Sequence, residues 1–223
     1  MPRATILTTL LFLAGSAASA QVVVLDEGSF SLYRSGERIG REDFSIRTAP
    51  GADGRVLVTQ ATIALGERRV APGINADTSG FPARYQREVR EAGAVVERYQ
   101  GQATRGRFSS QLLLPDGESA REFRLPAGTV IADDDIIHHL WLIARRGVGA
   151  VVPVLVPRRN LVEMVRVESG GTEHLSIDLR QFDTVKLVLR GTVTGTVREV
   201  WLAADGRILK AAIPDLKLVA LRD

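Results

Sequence analysis

The chain has 223 residues, a formal net charge of +3, 5% aromatic residues and no cysteine. This length can bury a substantial core, so the fold needs no disulfide to hold it. The near balance of charges and the lack of a dense basic cluster argue against nucleic acid as a partner.

The first twenty residues predict that the protein is exported. Arg3 gives a positive start, residues 6–15 form an apolar run too short to cross a membrane, and Ala18-Ser19-Ala20 matches the cleavage site of a secretory signal peptide. We therefore expect residues 1–20 to be removed and residues 21–223 to form a single periplasmic or secreted domain. With no cysteine to acylate at the cleavage site, we expect no lipid anchor.

Most of the remaining chain alternates apolar and polar residues between turn signals, which is typical of antiparallel strands. Residues 70–80 are rich in Pro, Gly, Asn and Asp and are expected to form a loop. Gly170-Gly171 and Asp205-Gly206 are expected to turn hairpins. The predicted strands cover residues 28–34, 39–47, 55–65, 81–90, 95–102, 107–114, 120–125, 151–156, 161–167, 173–180, 185–190, 192–202, 207–213 and 216–221.

One segment changes from the period of a strand to that of a helix. Residues 133–146 (DDDIIHHLWLIARR) begin with acidic residues and end with arginines, as the helix dipole favours, and Gly147 is suited to end the helix. The spacing of apolar residues predicts an amphipathic helix with Trp141 pressed onto a sheet, while Leu142 falls outside the apolar face. The predicted buried face consists of Ile136, Ile137, Leu140, Trp141, Ile143 and Ala144.

Two hairpin motifs lie near the two ends of the predicted domain. They are F-x-L-Y-R-x-G-E-R-I-G-R-E-D-F over residues 30–44 and V-W-L-A-A-D-G-R-I-L-K over residues 200–210. Both resemble motifs of exported bacterial proteins of unknown function, a group similar in architecture to the periplasmic lipoprotein carriers. The resemblance implies a mainly β fold, in which a curved antiparallel sheet of about a dozen strands forms a half-barrel wrapped on one amphipathic helix. It implies no catalytic residues.

The expected interior of this half-barrel is the candidate ligand site, because apolar pockets form in the mouths of barrels. The sequence favours a non-enzymatic protein that binds or carries a hydrophobic or amphiphilic ligand in the cell envelope. Lipid or a lipidated protein is the expected partner, and no cofactor is expected. A dry core made of the same residues is the alternative to a cavity. The candidate cleft residues are Phe30, Phe44, Phe108, Leu112, Ile137, Leu140, Trp141, Val165, Leu187 and Trp201.

The pair His138-His139 next to Asp133–Asp135 has the wrong spacing for a metal site. Adjacent helical positions point apart, whereas zinc-binding helices place their ligands at i and i+4. Asp134 and His138 have that spacing but lack a further ligand, since His174 lies on a separate predicted strand. We therefore expect no metal and a solvent-exposed helix face at the two histidines.

Three other functions stay open. A structural module that binds a partner would present an exposed apolar patch. A glycan-acting hydrolase would use paired carboxylates, for which Glu42, Asp43, Glu163 and Glu199 are available. A small outer-membrane β-barrel fits an exported chain of short strands, although few aromatic residues are present for its girdles. No nucleophile motif points to covalent catalysis.

Overall fold

The structure is a computed structural model that describes residues 21–223; the predicted signal peptide lies outside the described residues. Fifteen strands, more than the dozen expected, form one sheet, and the helix is short. The strands are β1 (Val23–Arg34), β2 (Glu37–Gly51), β3 (Gly54–Leu65), β4 (Arg68–Asp77), β5 (Pro82–Glu91), β6 (Ala94–Thr104), β7 (Arg107–Leu114), β8 (Gly117–Arg124), β9 (Val130–Ile131), β10 (Val151–Val156), β11 (Leu161–Ile177), β12 (Arg180–Gly191), β13 (Val197–Leu202), β14 (Ile208–Ile213) and β15 (Leu218–Arg222). The helix, α1, spans Leu140–Ala144.

The first and last strands pair with each other in the middle of the sheet. β1 runs antiparallel to β15, with Phe30 opposite Arg222 and Arg34 opposite Leu218. From this central pair, β2 to β8 follow one another on one side and β14 back to β9 on the other. Short connections join the neighbouring antiparallel strands, whereas β9 and β10 pair parallel and are joined by the long connection 132–150. We call strands β1–β8 the N-terminal wing and strands β9–β15 the C-terminal wing. The sheet is curved and not closed, because β8 and β9 are its two edges.

Two turn predictions were wrong. The expected loop at residues 70–80 is mostly β4, whose Val70, Ile74 and Ala76 lie in the core while Asn75 and Asp77 face out. Gly170-Gly171 does not turn a hairpin; β11 continues through a register shift there, and the chain turns at Asp178, which has a left-handed φ of 53°. Glycines inside a strand are thus absorbed as a bulge.

The long predicted helix was also wrong, since only Leu140–Ala144 is α-helical. In a helix from Asp133 onward, the N–H groups of Ile137 and His138 would bond to carbonyls four residues earlier. Here both donate to the carboxylate of Glu42 on β2, at 2.9 and 2.8 Å. A side chain from the sheet therefore replaces the helical acceptors, and residues 133–139 form turns instead.

The core lies on the concave side of the sheet and is continuous from one wing to the other. It includes Phe108, which stacks on Gly101 of the adjacent strand so closely that a Cβ at Gly101 would lie 2.3 Å from the ring. Among residues 21–223, no helix is long and apolar enough to cross a membrane.

Candidate functional site

A segment between β9 and β10 fills the interior of the curved sheet. We call residues 133–146 the plug segment. Its Ile136, Ile137, Leu140 and Ile143 side chains are fully buried, as the sequence predicted. Its orientation differs from the prediction, because Leu142 is 1% exposed and Trp141 is the partly exposed residue, with the Arg145 guanidinium 4.7 Å from its ring. The turns before α1 rotate the helix relative to a continuous one.

The plug segment is tied to the N-terminal wing by buried charges. Arg87 on β5 is 1% exposed and pairs with Asp133 at 3.2 Å and with Asp135 at 3.0 Å. Tyr85, two residues earlier on the same face, donates a 2.5 Å hydrogen bond to the Asp133 carboxylate. The nearest further charge is Glu97 on β6, 3.4 Å from the Arg87 guanidinium. One buried arginine thus offsets the charge of two plug carboxylates.

These contacts shift the ionisation of both carboxyls in opposite directions. Burial raises the pKa of Asp133 above its ordinary value, and Arg87 and Tyr85 offset that rise only in part. Asp135 is also desolvated, but the hydrogen bonds and charge of Arg87 outweigh burial and lower its pKa. Burial raises the pKa of Tyr85 well above 10, so its hydroxyl stays a donor. The plug therefore carries a firmly ionised Asp135 beside a more easily protonated Asp133.

Asp134 faces the other way and binds the C-terminal wing. It forms an ion pair with Arg198 on β13, which is 1% exposed, and another with Arg159 at 2.5 Å. Arg198 also lies 3.9 Å from the buried carboxylate of Glu163 on β11. Asp133 and Asp135 bind the N-terminal wing, and Asp134 binds the C-terminal wing. The three residues therefore link the two wings across the interior.

Glu42 is the second anchor of the plug segment. It is fully buried on β2 and accepts hydrogen bonds from two plug N–H groups, and its Oε1 lies 2.8 Å from His138 Nδ1. The His138 ring stacks on Phe44, at 5.8 Å between centroids, and meets His139 edge-on at 4.6 Å. The predicted exposure of the two histidines was wrong, because the turns before α1 carry both into the core.

Both histidines use one ring nitrogen and leave the other without a hydrogen bond. His139 Nδ1 accepts from the Asp133 N–H at 3.2 Å, and the Nε2 atoms of both rings have no hydrogen-bond partner among the described residues. Within residues 21–223, no three His, Cys, Asp or Glu side chains are grouped so as to hold a metal ion. The two histidines are part of the packed core, and each is held by a hydrogen bond at its Nδ1 atom.

The burial of His139 should make the free energy of unfolding depend on pH. Burial, then the nearby His138 and Arg87, push the pKa of His139 well below 6.5. The unfolded chain therefore binds a proton near pH 6.5 that the folded chain does not, so the free energy of unfolding falls as the pH drops below that value. We expect His139→Asn, which keeps an acceptor near the Asp133 N–H, to reduce this fall by up to about 1.4 kcal/mol per pH unit.

Urea unfolding between pH 6.5 and pH 5 measures the slope for each protein. The raised pKa of Asp133 acts in the opposite sense in both proteins, so the difference between their slopes isolates His139. His174→Asn alters an exposed histidine on β11 and should keep the slope of the unmodified protein. Equal slopes for His139→Asn and the unmodified protein would contradict the assignment.

Nine of the ten predicted cleft residues come together in the interior. Phe30, Phe44, Phe108, Ile137, Leu140, Val165 and Leu187 belong to the buried core, and Leu112 and Trp141 pack against it. They belong to or pack against one core cluster that includes the plug segment, so the interior is packed by the protein's own side chains. A cleft of about 420 Å³ lies elsewhere, at the β11–β12 hairpin, where Glu173, His174 and Asp183 line it.

Trp201 is the exception among the predicted residues. Its neighbour Val200 points into the core, so Trp201 lies on the outer face of β13. There the ring is covered by two of the three lysines of the chain, Lys186 at 4.6 Å and Lys210 at 4.2 Å, and its indole N–H donates to Glu173 at 2.6 Å. Its burial comes from outer-face side chains, and it does not line the interior.

The sequence analysis did not predict that Arg87, Arg198 and Glu42 anchor the plug segment. A signal was present, because Arg87 stands in phase with Tyr85 and Val89, at an inward position of β5. Glu42 likewise shares the face of Phe44. Of the carboxylates considered for hydrolysis, Glu42 and Glu163 are buried at these contacts, whereas Asp43 and Glu199 lie on the outer face.

Comparison with known proteins supports the fold and no more. No family model and no curated protein matches the sequence. The structure is similar to the crystal structure of a β-barrel-like protein of a domain of unknown function (DUF1849) from Brucella abortus, with a TM-score of 0.53 over 92% of this chain and 98% of that chain. The two sequences are 11% identical. The similarity therefore supports a mainly β, barrel-like architecture and assigns no activity.

Proposed function

We propose that this protein is an exported, non-enzymatic binding protein of the cell envelope, which takes an amphiphile into its interior when the plug segment moves aside. One observation carries the proposal. Between Asp133 and Arg146, the hydrogen bonds that join the plug segment to the sheet run through side chains, not through a backbone ladder. The segment can therefore leave without unzipping a strand.

The same contacts set the free energy that is lost when the plug segment leaves and the free energy that is regained. An acyl chain would replace the apolar contacts of Ile136, Ile137, Leu140 and Ile143, at about 0.8 kcal/mol for each buried methylene. The plug carboxylates and their arginines would regain water, which offsets the loss of their ion pairs. The edges β8 and β9 share no ladder hydrogen bonds and are joined by residues 125–129, so the sheet can widen as far as that connection allows without breaking a ladder.

Titration with a fluorescent fatty acid tests this proposal. We expect delipidated protein to bind the probe saturably, and Trp141→Arg to strengthen that binding about tenfold, because a charge where the plug meets the core destabilises the seated plug that competes with the acyl chain. Trp201→Phe changes the other tryptophan, on the outer face, and should bind as the unmodified protein does. Circular dichroism checks that both variants are folded.

Failure of any acyl probe to bind saturably would overturn the proposal, as would unchanged or weaker binding by Trp141→Arg. Native mass spectrometry of the purified protein gives an independent measurement, in which a co-purified lipid is the expected result. The alternative is a structural module that binds a partner, and exposed apolar side chains at the start of β1 favour it: Val22, Val23, Val24 and Leu25 are 41–50% exposed. A lipid-free dimer in the same spectrum would support that alternative.

A further inference from the structure

A row of uncharged positions crosses the outer face of the N-terminal wing. The register of the strands places its members directly opposite one another, from β2 to β8. The residues next to them along each strand, such as Phe44 and Tyr85, point into the core, so the row lies on the outer face of the sheet, where its glutamines are exposed. We call it the amide row, and its members in order are Ser45, Gln60, Gly73, Gln86, Gln100, Gln111 and Ala120.

Three of the four glutamines in the amide row are free to bind a ligand. Gln60, Gln86 and Gln100 are exposed, and their side chains make no hydrogen bond to any other described residue; Gln111 bonds to Glu118. The rows on either side carry charges, with Arg47 and Arg84 on one side and Glu88 and Arg98 on the other. An uncharged track thus runs between charged borders.

Shallow grooves follow the same line. Three depressions of about 400, 260 and 400 Å³ lie along the amide row. Gln86 lines the first and second, and Gln100 lines the second and third, so neighbouring depressions adjoin each other. Gly73 contributes no side chain, and the ladder between β3 and β4 is interrupted beside it at Pro72. Four strand spacings separate Gln60 from Gln111, or about 19 Å at about 4.8 Å each.

We propose that the amide row binds a linear, uncharged polysaccharide. A glutamine amide both donates and accepts hydrogen bonds, which matches the hydroxyl and acetamido groups of a neutral sugar. The strand spacing repeats the amides at close to the length of one sugar ring, so an extended chain of rings meets one amide after another. An extended peptide would instead add to a free sheet edge through its backbone. This surface is separate from the interior site and does not depend on it.

The ligands tested are chitohexaose and cellohexaose, with the corresponding disaccharides for comparison. We expect the hexasaccharides to bind weakly, with a dissociation constant of about 1 mM, because hydrogen bonds to solvated amides each add little. In NMR spectra of the labelled protein, the side-chain amide signals of Gln60, Gln86 and Gln100 should shift on titration. The disaccharides should bind at least several-fold more weakly, since they span fewer amides.

The double variant Gln86→Ala/Gln100→Ala removes the middle of the amide row, and we expect it to weaken hexasaccharide binding about tenfold. Gln181→Ala is the matched control, because Gln181 is an exposed glutamine on β12, outside the row. Absence of binding by both hexasaccharides would overturn the proposal. Equal affinity for the short and long sugars would also overturn it, as would equal loss in the control. Fatty-acid binding by the double variant reports separately on the interior site.

Discussion

Replacing Arg87 with alanine should lower the free energy of unfolding by about 3–5 kcal/mol, the cost of leaving a buried carboxylate without its partner. Asp133 is fully buried, and the charge of Arg87 is what favours its ionised form there. Asp135 would lose two hydrogen bonds, at 3.0 and 3.1 Å. This loss is a large share of the stability of an ordinary domain, so the urea midpoint should fall clearly.

Two further variants separate the charge from the volume of Arg87. Arg90→Ala removes an exposed arginine of the same strand and should change stability by less than about 1 kcal/mol. The double variant Arg87→Ala/Asp133→Asn also removes the unpaired carboxylate charge but keeps an oxygen for the Tyr85 hydroxyl. It should therefore recover part of the lost free energy of unfolding. If Arg87→Ala were as mild as Arg90→Ala, the plug segment would not be held by this ion pair.

Glu42→Leu should be nearly as damaging, with an expected loss of about 3 kcal/mol. The substitution leaves the buried N–H groups of Ile137 and His138 without an acceptor, and each unsatisfied group costs about 1–3 kcal/mol. Thermal or urea unfolding measures the loss. Hydrogen exchange adds a local measurement, because the amides of Ile137 and His138 should exchange faster than those of the β1–β2 ladder.

Asp43→Leu is the matched control for Glu42→Leu. Asp43 is the next residue on β2, but its side chain points outward, is 57% exposed and pairs with Arg41. We expect its substitution to cost less than about 1 kcal/mol. Similar losses for Glu42→Leu and Asp43→Leu would show that the buried carboxylate does not position the plug segment.

The strands of this protein could largely be predicted from sequence. β7 (Arg107–Leu114) and β10 (Val151–Val156) have the bounds predicted from sequence. The errors fell where local composition and tertiary packing disagree. Residues 70–80 have the composition of a loop, yet Val70 and Ile74 fill inward positions of a strand that needs neighbours on both sides. Those neighbours are β3 and β5, and the composition of residues 70–80 alone does not show that the segment pairs with them.

The plug segment marks the boundary between what sequence determined and what tertiary structure decided. Alternation along each strand fixed a mainly β chain, and apolar spacing fixed that Ile136, Ile137, Leu140 and Ile143 are buried. Whether those residues form a helix was decided by Glu42, about a hundred positions away, which accepts the N–H groups that a helix would use internally. The sequence pattern places Arg87 at an inward position, but only the fold shows its partners, Asp133 and Asp135. Hydrogen bonds and charges act through space, and their partners are set by the fold and not by nearness in the chain.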